Sequence, residues 1–194
     1  MTDVAPQTLG QWRDVVFKVA QIDVATICVD LLIVGMSEQD VAAETRGGAS
    51  QLDVALHGTL GRLREGGIFG GRFRETLVLT PLPAPVRAGT LLLVGMGPAS
   101  RVDADSLFQL THLAMRDARR RRAARAACLL GWSELDIPTT AIATSAASMM
   151  HGALRAIDDH PDPGVPPLEW IFDIRNGEAA RTTRALTAAL AAWR

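Results

Sequence analysis

The sequence predicts one α/β domain in which helices and a mixed β-sheet form layers. Apolar runs typical of buried strands alternate with stretches whose apolar residues recur every three or four positions, as in helices. Two pairs of predicted strands follow each other with only a short connection, which favours some antiparallel pairing. A chain of 194 residues is long enough for one domain with a sizeable core.

The first half of the chain contains four predicted strands and one helix. Residues 15–20 and 30–36 are short β-rich runs, which we predict to be neighbouring strands. Residues 50–64 have helical spacing of leucines and alanines, with Ser50 as a candidate cap. Residues 75–80 and 90–96 are further strands, and the prolines between them indicate a surface hairpin connection.

The second half alternates helix and strand. Residues 103–122 form a predicted helix because its first turn is acidic and its last turn basic, an arrangement that suits the helix dipole. A strand at 126–130 and a helix that begins near Pro138 follow. A strand at 168–174 and a helix at 177–193 end the domain.

Composition excludes several classes of protein. The formal net charge of −1 gives no overall field that attracts nucleic acid. The first residues lack the pattern of a secretory signal, and no apolar run reaches the ~18 residues of a membrane span, so we expect a cytoplasmic protein. Cys28 and Cys128 each lie in an apolar segment and are expected to be buried, reduced thiols, although a pairing between them stays open.

Three sequence blocks together resemble a known family. They are DLLIVG (30–35), GGIFGGRFRETLVL (66–79) and LLLVGMG (91–97). In this order and spacing they resemble the amino-terminal domain of the leucyl (cytosol) aminopeptidase family. The resemblance implies a macro-domain-like, three-layer α/β/α sandwich with a mixed sheet of about six strands. It covers about 15–193, so we predict a leading segment at 1–14 and the domain at 15–194.

A fainter similarity to macro domains implies a ligand site. Asp23 precedes the next strand as the adenine-binding aspartate of those domains does, and RGGASQLDVALHG (46–58) is similar to their glycine-rich loop. Backbone N–H groups at such a helix start attract phosphate, which points to Gly47 and Gly48. Gly131 and Trp132 stand where the second phosphate loop would be. Where active macro domains have a catalytic asparagine, this sequence has Gly-Met-Ser-Glu (35–38). The negative charge of Glu38 would repel a diphosphate.

The family's chemistry is predicted to be missing. The resemblance places its two metals, with a lysine and several carboxylates, in a separate carboxy-terminal domain whose signature this sequence lacks. The four histidines are scattered without an i, i+4 pair, and there is no Gly-x-Ser-x-Gly turn. We therefore predict no catalytic residue, no metal ligand and no cofactor.

These observations predict a non-catalytic, stand-alone homologue with a role in assembly or regulation, as a homo-oligomer or with a separate peptidase chain. One alternative is a macro-like binding module for ADP-ribose or a related nucleotide. Another is a subunit of a metallo-aminopeptidase whose catalytic domain is on another chain. Trp12 and Trp193 are candidate contact residues, and Trp170 a core residue. The arginine run at 116–125 is interpreted as a solvated helix end in preference to a phosphate site.

Overall fold

A single mixed sheet of seven strands forms the centre of the domain. The computed structural model describes residues 6–38, 47–130, 138, 140–161, 164, 166–175 and 178–193. The strands are β1 (Gln7–Trp12), β2 (Val15–Ala20), β3 (Leu31–Met36), β4 (Thr76–Leu79), β5 (Thr90–Gly95), β6 (Arg125–Leu129) and β7 (Leu168–Asp173). Their spatial order is β1-β2-β7-β6-β3-β5-β4.

Helices cover both faces of the sheet. They are α1 (Gly47–Ala55), α2 (Thr59–Glu65), α3 (Ala104–Arg120), α4 (Ile142–Asp159) and α5 (Ala179–Ala192), with a 3₁₀ turn at Ala99–Arg101. Buried residues of α3, α4 and α5 join one apolar core, and those of α1 join a second core. The predicted α/β/α sandwich is therefore confirmed.

Strand direction explains the mixed character of the sheet. The five inner strands, β2, β7, β6, β3 and β5, run parallel, and the two outer strands pair antiparallel with their neighbours. In β3, Leu31 and Ile33 join one core while Leu32 and Val34 join the other. Burial on both faces accounts for the uninterrupted apolar run in the sequence.

The predicted strand neighbours are half right. Strands β4 and β5 pair antiparallel, as the proline-rich connection predicts. The predicted adjacency of β2 and β3 is wrong, because β7 and β6 lie between them. The ten residues between β2 and β3 instead carry the chain back along the sheet, which two parallel strands require.

The predicted helix at 50–64 is two helices. His57 and Gly58 adopt left-handed backbone conformations, with φ of 55° and 74°, and these separate α1 from α2. The Asp53 carboxylate accepts a hydrogen bond from the Leu60 backbone N–H at 2.8 Å and so joins the two helices. Ser50 is not the cap, because it lies within α1.

Strand β1 lies in the segment that the sequence places ahead of the domain. Its residues pair with β2 from Gln7↔Val19 to Trp12↔Val15, with an irregularity between Thr8 and Gly10. Leu9 and Trp12 pack against the core shared by α3, α4 and α5. Strand β1 is thus the seventh strand, one more than the six expected.

The three tryptophans that the structure describes pack within the domain. Trp170 is fully buried, as predicted. Trp12 and Trp193, the predicted contact residues, are half-buried and both donate their indole N–H to the Asp158 carboxylate of α4, at 3.1 and 2.9 Å. Their polar atoms are therefore used within the domain.

Both cysteines are free thiols. Cys128 is buried in β6, and burial, reinforced by the negative charge of Asp173, raises the pKa of its thiol far above the usual range. Cys28 is exposed, so the prediction of a buried thiol is wrong there. Among the described helices, none combines the length and apolar character needed to cross a bilayer.

Candidate functional site

The carboxyl ends of β3 and β6 define the place where this type of sheet binds ligands. After β3 the chain continues to α1, whose Leu52 belongs to one core. After β6 it continues to α4, whose Met149 belongs to the core on the opposite face. Because β3 and β6 are neighbours, their carboxyl ends flank a topological switch point, the usual ligand crevice of an open α/β sheet.

A glycine-rich corner, residues 66–75, is seated on the carboxyl ends of β3 and β5. The Gly97 N–H donates to the Gly71 carbonyl at 2.8 Å, and the Arg74 N–H donates to the Gly95 carbonyl at 2.9 Å. The Glu38 N–H donates to the Gly97 carbonyl at 3.0 Å, which links the end of β3 to the same layer. Backbone from three segments is therefore in direct contact here.

Only glycine permits these contacts. A Cβ on Gly95 would collide with the Arg72 carbonyl, and one on Gly71 would lie 2.8 Å from the Ser37 carbonyl oxygen. Gly71 also has a φ of +72°. Phe69 is buried within the corner, and the positive φ of Gly67 and Gly71 permits tight turns on either side of it.

The Glu75 carboxylate holds the corner together. Its Oε2 accepts hydrogen bonds from the Gly70 N–H at 3.1 Å and from the Arg72 N–H at 3.0 Å. Two backbone donors that could have bound an anionic ligand are thus satisfied by the protein's own carboxylate. The corner fills the edge of the sheet beyond β3 and β5 with protein.

Asp23 follows β2, so it lies at the same carboxyl edge of the sheet as the glycine-rich corner, three strands away from β3. It is exposed, and its Oδ1 accepts a hydrogen bond from the Ala25 N–H at 2.9 Å. It lines a cavity of about 260 Å³ together with Cys28, Arg87, Arg125 and Ile171. This cavity lies on the sheet face that α1 covers, because Ile171 belongs to that core.

Asp173, which the sequence did not single out, anchors the Asp23 loop. It ends β7, it is 3% exposed, and its Oδ1 accepts the Ile22 N–H at 2.9 Å. Burial raises the pKa of this carboxyl, and the contacts with Ile22 and Arg175 only partly offset that rise. Asp173 could have been found in the sequence, because it is an acid directly after the apolar run Trp170-Ile171-Phe172.

The other predicted site residues are separated from Asp23. Gly47 and Gly48 are the first described residues of α1, which follows β3 in the chain. Strands β2 and β3 are three inter-strand spacings apart, about 14 Å, so only an elongated ligand could touch both features. Gly131 and Trp132 lie outside the described residues.

Asp30 of the DLLIVG block serves the opposite end of the sheet. Its Oδ2 accepts hydrogen bonds from the Ala124 and Arg125 N–H groups, at 2.8 and 2.9 Å. It fixes the start of β6 beside the start of β3 and so has a structural role. In the described part of the chain, no group of three or more His, Cys, Asp or Glu side chains could hold a metal ion.

The three-layer α/β/α sandwich with its mixed sheet is a fold that this chain shares with macrodomains. The Oceanobacillus iheyensis macrodomain with ADP is 11% identical with a TM-score of 0.67, and the match covers 96% of this chain and 95% of that one. The Trypanosoma brucei macrodomain in complex with ADP is 11% identical with a TM-score of 0.64, over 88% and 68%. At such identities these matches show the fold alone.

The family follows from the sequence of the central part. The model of the cytosol aminopeptidase family, N-terminal domain, matches residues 33–158, so the chain belongs to that family. A mutant of tomato leucine aminopeptidase is 22% identical with a TM-score of 0.69, and the match covers 90% of this chain. The chain spans 35% of the tomato enzyme's length. A search of curated proteins found no match.

Proposed function

We propose that this domain is a non-catalytic homologue of the cytosol aminopeptidase N-terminal domain, with a role in assembly or regulation. The observation that carries the proposal is the glycine-rich corner. It fills the sheet edge beyond β3 and β5 with backbone and turns two large apolar side chains outward, Ile68 at 59% exposure and Phe73 at 41%. Two large exposed apolar side chains on one corner are available for contact with a partner.

The partner we propose is an aminopeptidase-type catalytic domain. The match to the tomato enzyme spans 35% of that chain, so most of such an enzyme lies outside this fold and is available to pack against it. The same surface would serve a regulatory homologue and a subunit whose catalytic domain is on another chain. These two roles differ in whether activity depends on the complex.

The first experiment measures hydrolysis of leucine p-nitroanilide by the purified chain with added Mn²⁺ or Zn²⁺. We expect no turnover above buffer, because an ordered two-metal centre needs converging carboxylates. An active leucine aminopeptidase assayed in parallel verifies the substrate. Appreciable turnover by the pure chain would refute a non-catalytic role.

The second experiment tests the corner as the contact surface. The double variant Ile68→Ser/Phe73→Ser should lose self-association in sedimentation and capture of a peptidase chain from the native host. Val54→Ser on α1 is the control, because Val54 is 75% exposed on a different element. A chain that is monomeric and captures no peptidase, or a double variant that behaves like the wild type, contradicts the proposal.

A second candidate function is binding of ADP-ribose or a related nucleotide. It is favoured by the cavity beside Asp23, where Arg87 supplies positive charge while Arg125 pairs with Glu169, and by the similarity in fold to macrodomains solved with ADP. Asp23 would accept a hydrogen bond from the adenine amino group. Gly47 and Gly48, with Gly131 and Trp132, would contact the phosphates and the distal ribose.

Calorimetry with ADP-ribose tests this candidate. Asp23→Ala should abolish the heat of binding. Asp23→Asn keeps one oxygen for the Ala25 N–H but replaces the other by a donor, so it should lose binding while the loop stays folded. The absence of heat at millimolar ligand, or unchanged binding by both variants, removes nucleotide binding from consideration.

A further inference from the structure

We propose that a cavity between α3 and β4, far from the Asp23 loop in sequence, binds the phosphoryl group of a small ligand. The cavity has a volume of about 430 Å³. Its lining includes Arg74 from the glycine-rich corner, Thr76 from the start of β4, Leu113, Arg116 and Arg120 from α3, and His160 after α4. A volume of this size is in the range of small-molecule sites.

Two of the lining arginines carry uncompensated charge. Arg74 and Arg116 are both exposed, and within the described chain neither guanidinium has a hydrogen-bond or ion-pair partner. The helix dipole accounts for basic residues only in the last turn of α3, which contains Arg119 and Arg120. It does not account for Arg116, one turn earlier, or for Arg74 on another element.

The acid of the cavity does not neutralise this charge. Asp117 is buried, and its two carboxylate oxygens are bound by Arg120 and Arg121. Arg119, also in the lining, is paired with Asp14. Asp117 therefore holds Arg120 at the rim and leaves Arg74 and Arg116 to face an anion.

The mixture of groups selects the ligand class. Guanidinium groups bind phosphate oxygens bidentately, and the Thr76 hydroxyl is a further donor. Leu113 and Ala156 supply an apolar part of the lining. A phosphate monoester with an apolar or aromatic body fits both parts, and free phosphate shares its recognition by the arginines.

The experiment is calorimetry in chloride buffer with two probes, inorganic phosphate and phenyl phosphate. The double variant Arg74→Gln/Arg116→Gln should bind both probes roughly tenfold more weakly, because each lost guanidinium removes charge-assisted hydrogen bonds. The control Arg122→Gln/Arg184→Gln removes the same charge at exposed arginines outside the cavity and should retain wild-type affinity. Asp23→Asn should also retain it, which separates this site from nucleotide binding at the Asp23 loop.

Each outcome of the calorimetry either supports or overturns the phosphoryl site. Tighter binding of phenyl phosphate assigns the site to an ester, and equal binding of the two probes assigns it to free phosphate; both support a phosphoryl site. No heat at millimolar probe overturns the proposal. So does equal weakening in the control variant, which would show a general effect of surface charge.

Discussion

Asp158 shows how one carboxylate can join distant parts of a chain. It lies at the end of α4 and binds the indole N–H groups of Trp12 and Trp193, together with Arg13 at 2.8 Å. Burial raises the pKa of Asp158, but the bonds from Trp193, Trp12 and Arg13 outweigh burial, so the pKa is lowered overall. The carboxylate form is therefore stabilised by folding.

Asp158→Ala should lower the free energy of unfolding by about 2–3 kcal/mol, because it leaves two half-buried donors without an acceptor. Asp159→Ala is the matched control. That neighbour pairs with His112 and Arg155 at the surface, so its removal should cost clearly less stability than the removal of Asp158. Urea unfolding of both variants measures the difference, and equal losses would contradict the assigned role.

The same carboxylate predicts a dependence of stability on pH. Since the pKa of Asp158 is lower in the folded protein than the ordinary value of 3.8, its contribution is complete above that value. It is lost as the pH falls through the lower, folded value. The stability gap between the wild type and Asp158→Asn should therefore close on acidification below about pH 3.8. A gap that stays constant through that range would be inconsistent with this linkage.

Single residues were predictable only where their partners are close in sequence. The acidic start of α3 was recognisable, and Asp103 indeed caps it by accepting the Ser106 N–H at 2.8 Å. Asp158 and Asp173 were not, because each holds backbone or side chains roughly 150 residues away. The cavity beside Asp23 likewise depends on Arg87 and Arg125, which no local pattern joins to it.

At the level of elements, the corner depends on close backbone contact. Gly95→Ala should destabilise the domain by about 3 kcal/mol or more, because the added methyl group collides with the Arg72 carbonyl and must push the corner off β5. Gly70→Ala is the matched control. Its Cβ would meet Glu75 Oε2 at 3.6 Å, an ordinary contact, so the stability should change little.

Thermal unfolding followed by circular dichroism compares the two glycine variants. A wild-type melting temperature for Gly95→Ala would show that the corner can leave the strand ends at no cost. A large loss in Gly70→Ala would show that the corner is sensitive to any added group. Either result would weaken the corner as the basis of the proposed assembly surface.

Most elements could be predicted from periodicity, but the division of α1 from α2 and the presence of strand β1 could not. Strands β2 to β7 and the three long helices lie within a few residues of their predicted positions. The division of α1 from α2 was missed because Leu60 and Leu63 continue the helical spacing across His57 and Gly58. Strand β1 was missed because its burial is slight and Gly10 interrupts its pattern.

At the scale of the whole molecule, the first question is where the domain begins. We propose that the domain begins with β1 and not at Val15. Removal of residues 1–14 should lower stability by at least about 2 kcal/mol, roughly 4–8 °C in melting temperature, because Leu9 and the Trp12 bond to Asp158 are lost. It should also promote aggregation, since the edge of β2 becomes unpaired.

Removal of residues 1–5 alone is the control for that truncation. This shorter deletion keeps β1 and its pairing with β2, so the melting temperature should stay unchanged. If the 15–194 fragment melts with the full chain and stays monodisperse, β1 is dispensable and the boundary predicted from the sequence stands.

The order of strands was the least predictable feature. Sequence proximity suggested that β2 and β3 are neighbours, as consecutive strands usually are. The observed order inserts β7 and β6 between them, and no residue of β2 signals its partner 150 positions away. The order brings the buried rings of Phe17 and Phe172 together across β2 and β7, stacked with centroids 6.2 Å apart.

The pairing of β2 with β7 also bears on biosynthesis. Ile22 and its acceptor Asp173 are separated by 151 residues, and β2 meets no other inner strand. At translation rates of 5–20 residues per second, the amino-terminal hairpin waits roughly 8–30 seconds for its partner to be made. During that interval its apolar face, with Val15, Phe17 and Val19, is available to chaperones on the ribosome and to other nascent chains.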